Sequence, residues 1–163
     1  MWQQGTIEVF RYWNRLRGAR RAPDRSDIDP AAFSHLLSDA MILEADEAET
    51  YPLRVSCLRL NILFNHEQRA RSFIDLFARE DRQEIRAVLR AAVREFHPVV
   101  AGVAAAPEGS ETSPFELLLL PLFNGRDANP RILGALAPIA ARQWFGETGA
   151  SCLRLSSVRF LDA

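Results

Sequence analysis

The chain has 163 residues, 48% hydrophobic and 25% charged, a balance suited to one globular domain that buries its core without disulfides or a structural metal. Its formal net charge of -1 excludes an overall field that would recruit nucleic acid or an anionic membrane. Cys57 and Cys152 show neither CxxC spacing nor the dense pattern of a secreted scaffold, and no apolar run reaches the about 18 residues that span a bilayer. A reducing compartment follows, with no membrane and the cytoplasm as the default location.

Thr6 is the expected N-cap of a first helix, which carries Ile7, Phe10, Trp13 and Val9, Tyr12, Leu16 at helical spacings until Gly18 stops it. Apolar residues on more than one side mean that this helix either sinks into its own domain or offers a face to a partner. Ile7, Phe10, Tyr12 and Trp13 are therefore the candidate interface residues, for a homodimer or for an unidentified signalling protein. Arg15, Arg17, Arg20 and Arg21 form a basic cluster, but arginines in the last turn of a helix complement its dipole, and nucleic acid is not expected.

Ala22 to Pro30, with Pro23, Pro30 and three aspartates, reads as a linker that ends by capping the short apolar segment Ala31 to Leu37. Ala40 to Glu44, then Leu53, Val55 and Cys57 alternating with Arg54 and Ser56, read as two strands of a hairpin joined through Asp46, Glu47 and Glu49. Short helical pieces follow around Leu60 to Phe64 and Ser72 to Phe77, too brief to stand without tertiary support.

Asp81 with Glu84 three residues on reads as a capping box that opens the clearest helix, with Ile85, Val88, Leu89, Ala92, Val93 and Phe96 on one face and a solvated charged face opposite. Pro98 ends it. Three extended segments follow, Val99 to Ala105, Pro114 to Phe123 and Arg131 to Ala141, separated by turn signals at Pro107 to Ser110 and Asn124-Gly125, and short connections imply antiparallel neighbours. The last of them is apolar on both faces and so central or covered. Cys152 to Phe160 is an edge strand or a tail.

Two strands, short helices, one longer helix and three antiparallel strands make an α+β fold, a five-stranded antiparallel sheet with helices on one face plus the N-terminal helix. This order resembles that of PAS domains. Tyr12, Trp13, Leu16, Arg17, Gly18 and Arg20, then Pro23, Arg25, Asp27, Ile28, Asp29 and Pro30, are similar to the opening of an alphaproteobacterial PAS family without an attached output domain. Leu53 to Phe64, Ser72-Phe73 to Phe77, Glu116 to Pro121-Leu122 and Arg131-Ile132-Leu133-Gly134 match its later blocks in order. The chain departs from the family at Cys57 and Asn65, where glycine is usual, and its Gly-Arg-Glu-Leu-x-Gly turn appears as Asn65-His66-Glu67-Gln68-Arg69-Ala70. On this reading residues 1–30 are the N-terminal helix and linker, 31–145 the PAS-like core and 146–163 a C-terminal strand or tail.

The resemblance implies a sensory or adaptor module and a pocket between the sheet and the helices. The lining would come from Val55, Cys57, Phe73, Leu76, Ile85, Leu89, Leu117, Leu119, Leu133 and Ala135. These residues either pack solid or enclose an apolar or amphipathic ligand. His35, His66 and His97 show no zinc spacing, so no metal is expected. Some PAS domains bind haem through a histidine near the long helix; His97 stands at that place, but capping alone accounts for it, and no cofactor is the first expectation. The flavin-linking cysteine motif of light-sensing PAS domains is absent, and Cys57 reads as a small buried hydrophobe. With no nucleophile elbow, phosphate loop or metalloprotease motif, catalysis is not expected.

Overall fold

The structure is a computed structural model and describes residues 3–106, 112–125, 128–140 and 149–162. The expected turn at Pro107 to Ser110, the end of the third extended segment at Ala141 and the boundary at 145/146 lie outside the described residues. Helix α1 spans Gln4–Arg17, α2 Leu58–Leu63 and α3 Arg82–Glu95; the strands are β1 (Ala40–Glu44), β2 (Leu53–Val55), β3 (Val99–Ala106), β4 (Ser113–Leu122), β5 (Arg131–Pro138) and β6 (Cys152–Phe160). They form one antiparallel sheet in the order β2-β1-β5-β4-β3-β6.

The PAS-like α+β architecture is as expected, with one more strand than the five counted from the sequence. Cys152 to Phe160 pairs along β3 and becomes the sixth strand, at the sheet's edge. Its position is fixed from the helical side as well. The Ala78 N–H donates to Leu153 O at 2.9 Å, and Asp81 Oδ2 accepts the Leu155 N–H at 2.9 Å while pairing with Arg154 at 3.1 Å. Asp81 is thus the N-cap of α3 in position but not in chemistry: the expected capping box does not form, because its carboxylate is engaged by β6.

The start of α1 also differs from expectation. The N-cap is Gln3 rather than Thr6, and Thr6 is buried in the first turn. Cys57, expected on a strand, instead caps α2: β2 ends at Val55, and the Cys57 Sγ accepts the Leu60 N–H, 3.4 Å away.

Side chains alternate along the strands, and both faces of the sheet are covered. On one face Met41, Leu43, Leu117, Leu119, Ile132 and Leu136 pack against α2, the 3-10 turn Ile74–Leu76 and α3, which contributes Ile85, Val88, Leu89 and Ala92. On the other, Ala40, Ile42, Leu118, Leu120, Leu122, Leu133 and Ala135 pack against Val9, Tyr12 and Trp13 of α1. The 22–30 stretch is a strap on this second face rather than a free linker. Ala22 and Ile28 are buried there, Asp24 and Asp27 form a capping box around a 3-10 turn, and Asp24 bridges to Phe123.

Candidate functional site

Seven of the ten expected lining residues come together. Cys57, Phe73, Leu76, Ile85, Leu89, Leu117 and Leu119 belong to one buried cluster between the sheet and α2–α3. Phe73 and Phe77 meet there edge to face, with ring centroids 5.4 Å apart. Burial pushes the Cys57 thiol up to about 11, against the Leu60 N–H that favours its charged form, so it stays protonated at neutral pH.

The other three stand elsewhere. Val55 is 47% exposed at the end of β2. Leu133 and Ala135 face α1, in the cluster with Trp13, Leu118 and Leu120. Ile132 and Leu136 hold the corresponding inner positions, and Gly134 between them makes room for Met41: a Cβ there would lie 2.8 Å from Met41 Cγ. Because β5 is buried at every position from 132 to 137, alternation assigns it no face. The register does, pairing Leu133 with Leu120 and Ala135 with Leu118.

Of the candidate interface residues, Trp13 is fully buried and its Nε1–H donates to Pro121 O at 2.8 Å. Tyr12 is buried too, edge to face with Phe33 at 5.3 Å, its hydroxyl accepting the Asp29 N–H at 2.8 Å. Both residues belong to the fold. Ile7 and Phe10 are half-buried, and the Phe10 ring stacks on Trp13 at 6.1 Å.

The basic cluster is engaged internally. Arg20 pairs with Asp27 at 2.9 Å, and Arg21 donates to Glu95 O at 2.9 Å with its guanidinium 4.8 Å over the Phe96 ring, closing the C-terminal end of α3. Arg17 and Arg21 border an outer cleft of about 310 Å³ with His97 and Phe160. His97 thus lies outside the interior cluster, within 3.4 Å of Glu95.

Sequence reasoning missed two polar positions. Glu44, buried on β1, accepts from Arg54 at 2.7 and 2.8 Å and from Asn129 at 3.0 Å, and it pairs with Arg131. The Arg54 hydrogen bonds, aided by Asn129 and by both arginine charges against the cost of burial, hold its carboxyl down at about 2. Gln68 is fully buried, although it follows two residues after an exposed histidine in a polar run that gives no sign of burial. No group of three or more His, Cys, Asp or Glu among the described residues is placed to hold a metal ion. No helix among them is long and apolar enough to cross a membrane.

A six-stranded antiparallel sheet with short helices and one long helix over its inner face is a PAS-like α+β architecture. The sequence model of the PAS domain family matches residues 1–137, and the chain belongs to that family. PAS domains are in general sensory, non-catalytic domains of signalling proteins. Comparison with curated proteins gives no match.

Proposed function

We propose that this PAS domain is a non-catalytic sensory or adaptor module in bacterial signal transduction, working in the cytoplasm by pairing with a second copy of itself and docking on a signalling protein. The observation that carries this reading is a group of large apolar side chains left open at one corner of the fold. Leu58 and Ile62 are 57% and 39% exposed one turn apart on α2, next to the exposed Val55. Leu37, 44% exposed, is held beside them by the Arg59 N–H donating to Ser38 O at 3.0 Å and by the Arg59–Asp39 pair at 2.6 Å. These residues contribute little to the interior, so their size and hydrophobicity are best accounted for by an intermolecular contact.

The alternative is an apolar or amphipathic ligand between sheet and helices. That space holds Phe73, Phe77, Leu89 and Leu117, all essentially without exposure, and a ligand would have to displace them. The protein-contact reading therefore stands first. Light scattering on the eluting protein, with Leu58→Glu and Ile62→Glu combined, tests it. The expected result is a dimer for the parent chain and a folded monomer for the variant. A parent chain that stays monomeric at the highest concentration it tolerates overturns self-association.

A further inference from the structure

Gln68 presents a chemical anomaly. Its side chain is completely buried, its Nε2 donates to His66 Nδ1 at 2.5 Å and to His66 O at 3.0 Å, and its Oε1 has no hydrogen-bond partner. Turning the amide over does not help, because Oε1 would then oppose the His66 carbonyl oxygen, acceptor against acceptor. A buried carbonyl oxygen left unpaired costs about 1–3 kcal/mol. A leucine in this position would fill the site without that cost. Among the described residues no donor reaches this oxygen, and a bound molecule can supply one.

The surroundings define what that donor belongs to. Gln68 is part of the wall of a cleft of about 320 Å³ between the 64–72 turn, the 3-10 turn Ile74–Leu76 and Ser151. This is at the lower end of the roughly 300–1,000 Å³ of small-molecule sites. Phe64 and Leu76 supply an apolar part. His66 accepts from Gln68 at Nδ1, so the neutral ring carries its proton on Nε2 and has a donor to offer. Arg71 adds a guanidinium, while Asp75 on the same cleft is neutralised by Arg82 at 3.0 Å. The cleft thus combines a fixed positive charge and an uncharged donor with one unmet acceptor buried beneath its surface.

We propose that this cleft binds a small carboxylate with a hydroxyl or amino group beside the acid and a short apolar tail. The hydroxyl or amine donates to Gln68 Oε1 after a small displacement of the His66 ring, the carboxylate takes Arg71, and the tail lies on Phe64 and Leu76. The site is separate from the interior cluster and does not depend on self-association.

The test is a thermal-shift and calorimetric titration of the full chain with L-leucine, L-valine and their 2-hydroxy counterparts, each in large excess. At least one is expected to raise Tm by about 2–4 °C per kcal/mol of binding linkage, as for a domain of this size. Gln68→Leu is expected to fold, to be more stable than the parent without ligand, and to weaken binding at least tenfold; Arg71→Met weakens the same ligand while leaving the unliganded Tm in place. No shift with any of the four probes overturns the proposal, as does a ligand bound equally well by Gln68→Leu, which would mean that water satisfies Oε1. Light scattering on the same samples reports the oligomeric state independently, so failure of one reading is distinguishable from failure of the other.

Discussion

The Thr6 hydroxyl in the first turn of α1 donates to the carboxylate of Glu116 on β4, 110 residues away, and both residues are buried. The same Glu116 Oε1 accepts the Gln3 N–H at 2.6 Å. A carboxylate from the sheet therefore does the work expected of a capping side chain, satisfying donors of the helix start and favouring its positive dipole end. Glu116→Ala leaves the Gln3 amide without this acceptor and the Thr6 hydroxyl with Gln3 O alone, 2.8 Å away, at a cost of about 1–3 kcal/mol. Thermal denaturation should show the loss, and hydrogen exchange should rise first in α1; Glu116→Gln, which keeps an acceptor oxygen, should show a smaller effect. Equal stability of all three proteins would mean that Glu116 does not anchor the helix.

Glu44 sets a pH dependence whose sign follows from its environment. Its folded-state value of about 2 lies below the ordinary 4.5, so its contribution is fully present above the ordinary value and is lost as pH falls through the window between them. Arg54 is half exposed, and solvent screening reduces the contribution to on the order of 2 kcal/mol. In urea titrations, the parent should lose stability relative to Glu44→Gln between those pH values. A stability difference that does not change across that window would contradict this assignment.

Trp13 separates folding from association. Trp13→Ala removes a fully buried indole and orphans Pro121 O, and should cost about 3–5 kcal/mol, visible as a large drop in the urea midpoint. Leu58→Glu, at an exposed position, should leave that midpoint nearly unchanged. The reverse ranking would place Trp13 on a surface and Leu58 in the core.

Ala70 occupies a left-handed conformation, with φ of 65°, at the last position of the 65–70 turn. An L side chain there costs about 1–2 kcal/mol. Asn65, at the turn's first position with φ of 56°, tolerates this region better. Ala70→Gly is therefore expected to stabilise the protein by about 1 kcal/mol, after the entropy glycine adds to the unfolded chain. A lower Tm for this variant would show that the turn is not strained.

Much of the fold was legible in the amino-acid order. The β1–β2 hairpin, α3 and the three antiparallel strands from Val99 onward are marked by local periodicity and by turn and stop residues that act over a few positions. The order of these elements also carried the family. Of the residues expected between sheet and helices, Cys57, Phe73, Leu76, Ile85, Leu89, Leu117 and Leu119 were legible as buried apolar positions, and they meet in one cluster.

What tertiary structure alone decided concerns which layer each buried residue meets. Periodicity says that a residue is hidden, not behind what. On β5, apolar at every central position, only pairing with β1 and β4 sends Leu133 and Ala135 toward α1 and Ile132 and Leu136 toward α3. Likewise Trp13 and Tyr12 are aromatic on a helix in either reading, and it is the open half of a sheet wide enough to take α1 that buries them. Asp81 and Thr6 look like local caps, yet each is engaged by a strand more than 70 residues away. A hydrogen bond formed across such a separation leaves no trace in the spacing of neighbours, because its partner is set by how the layers pack.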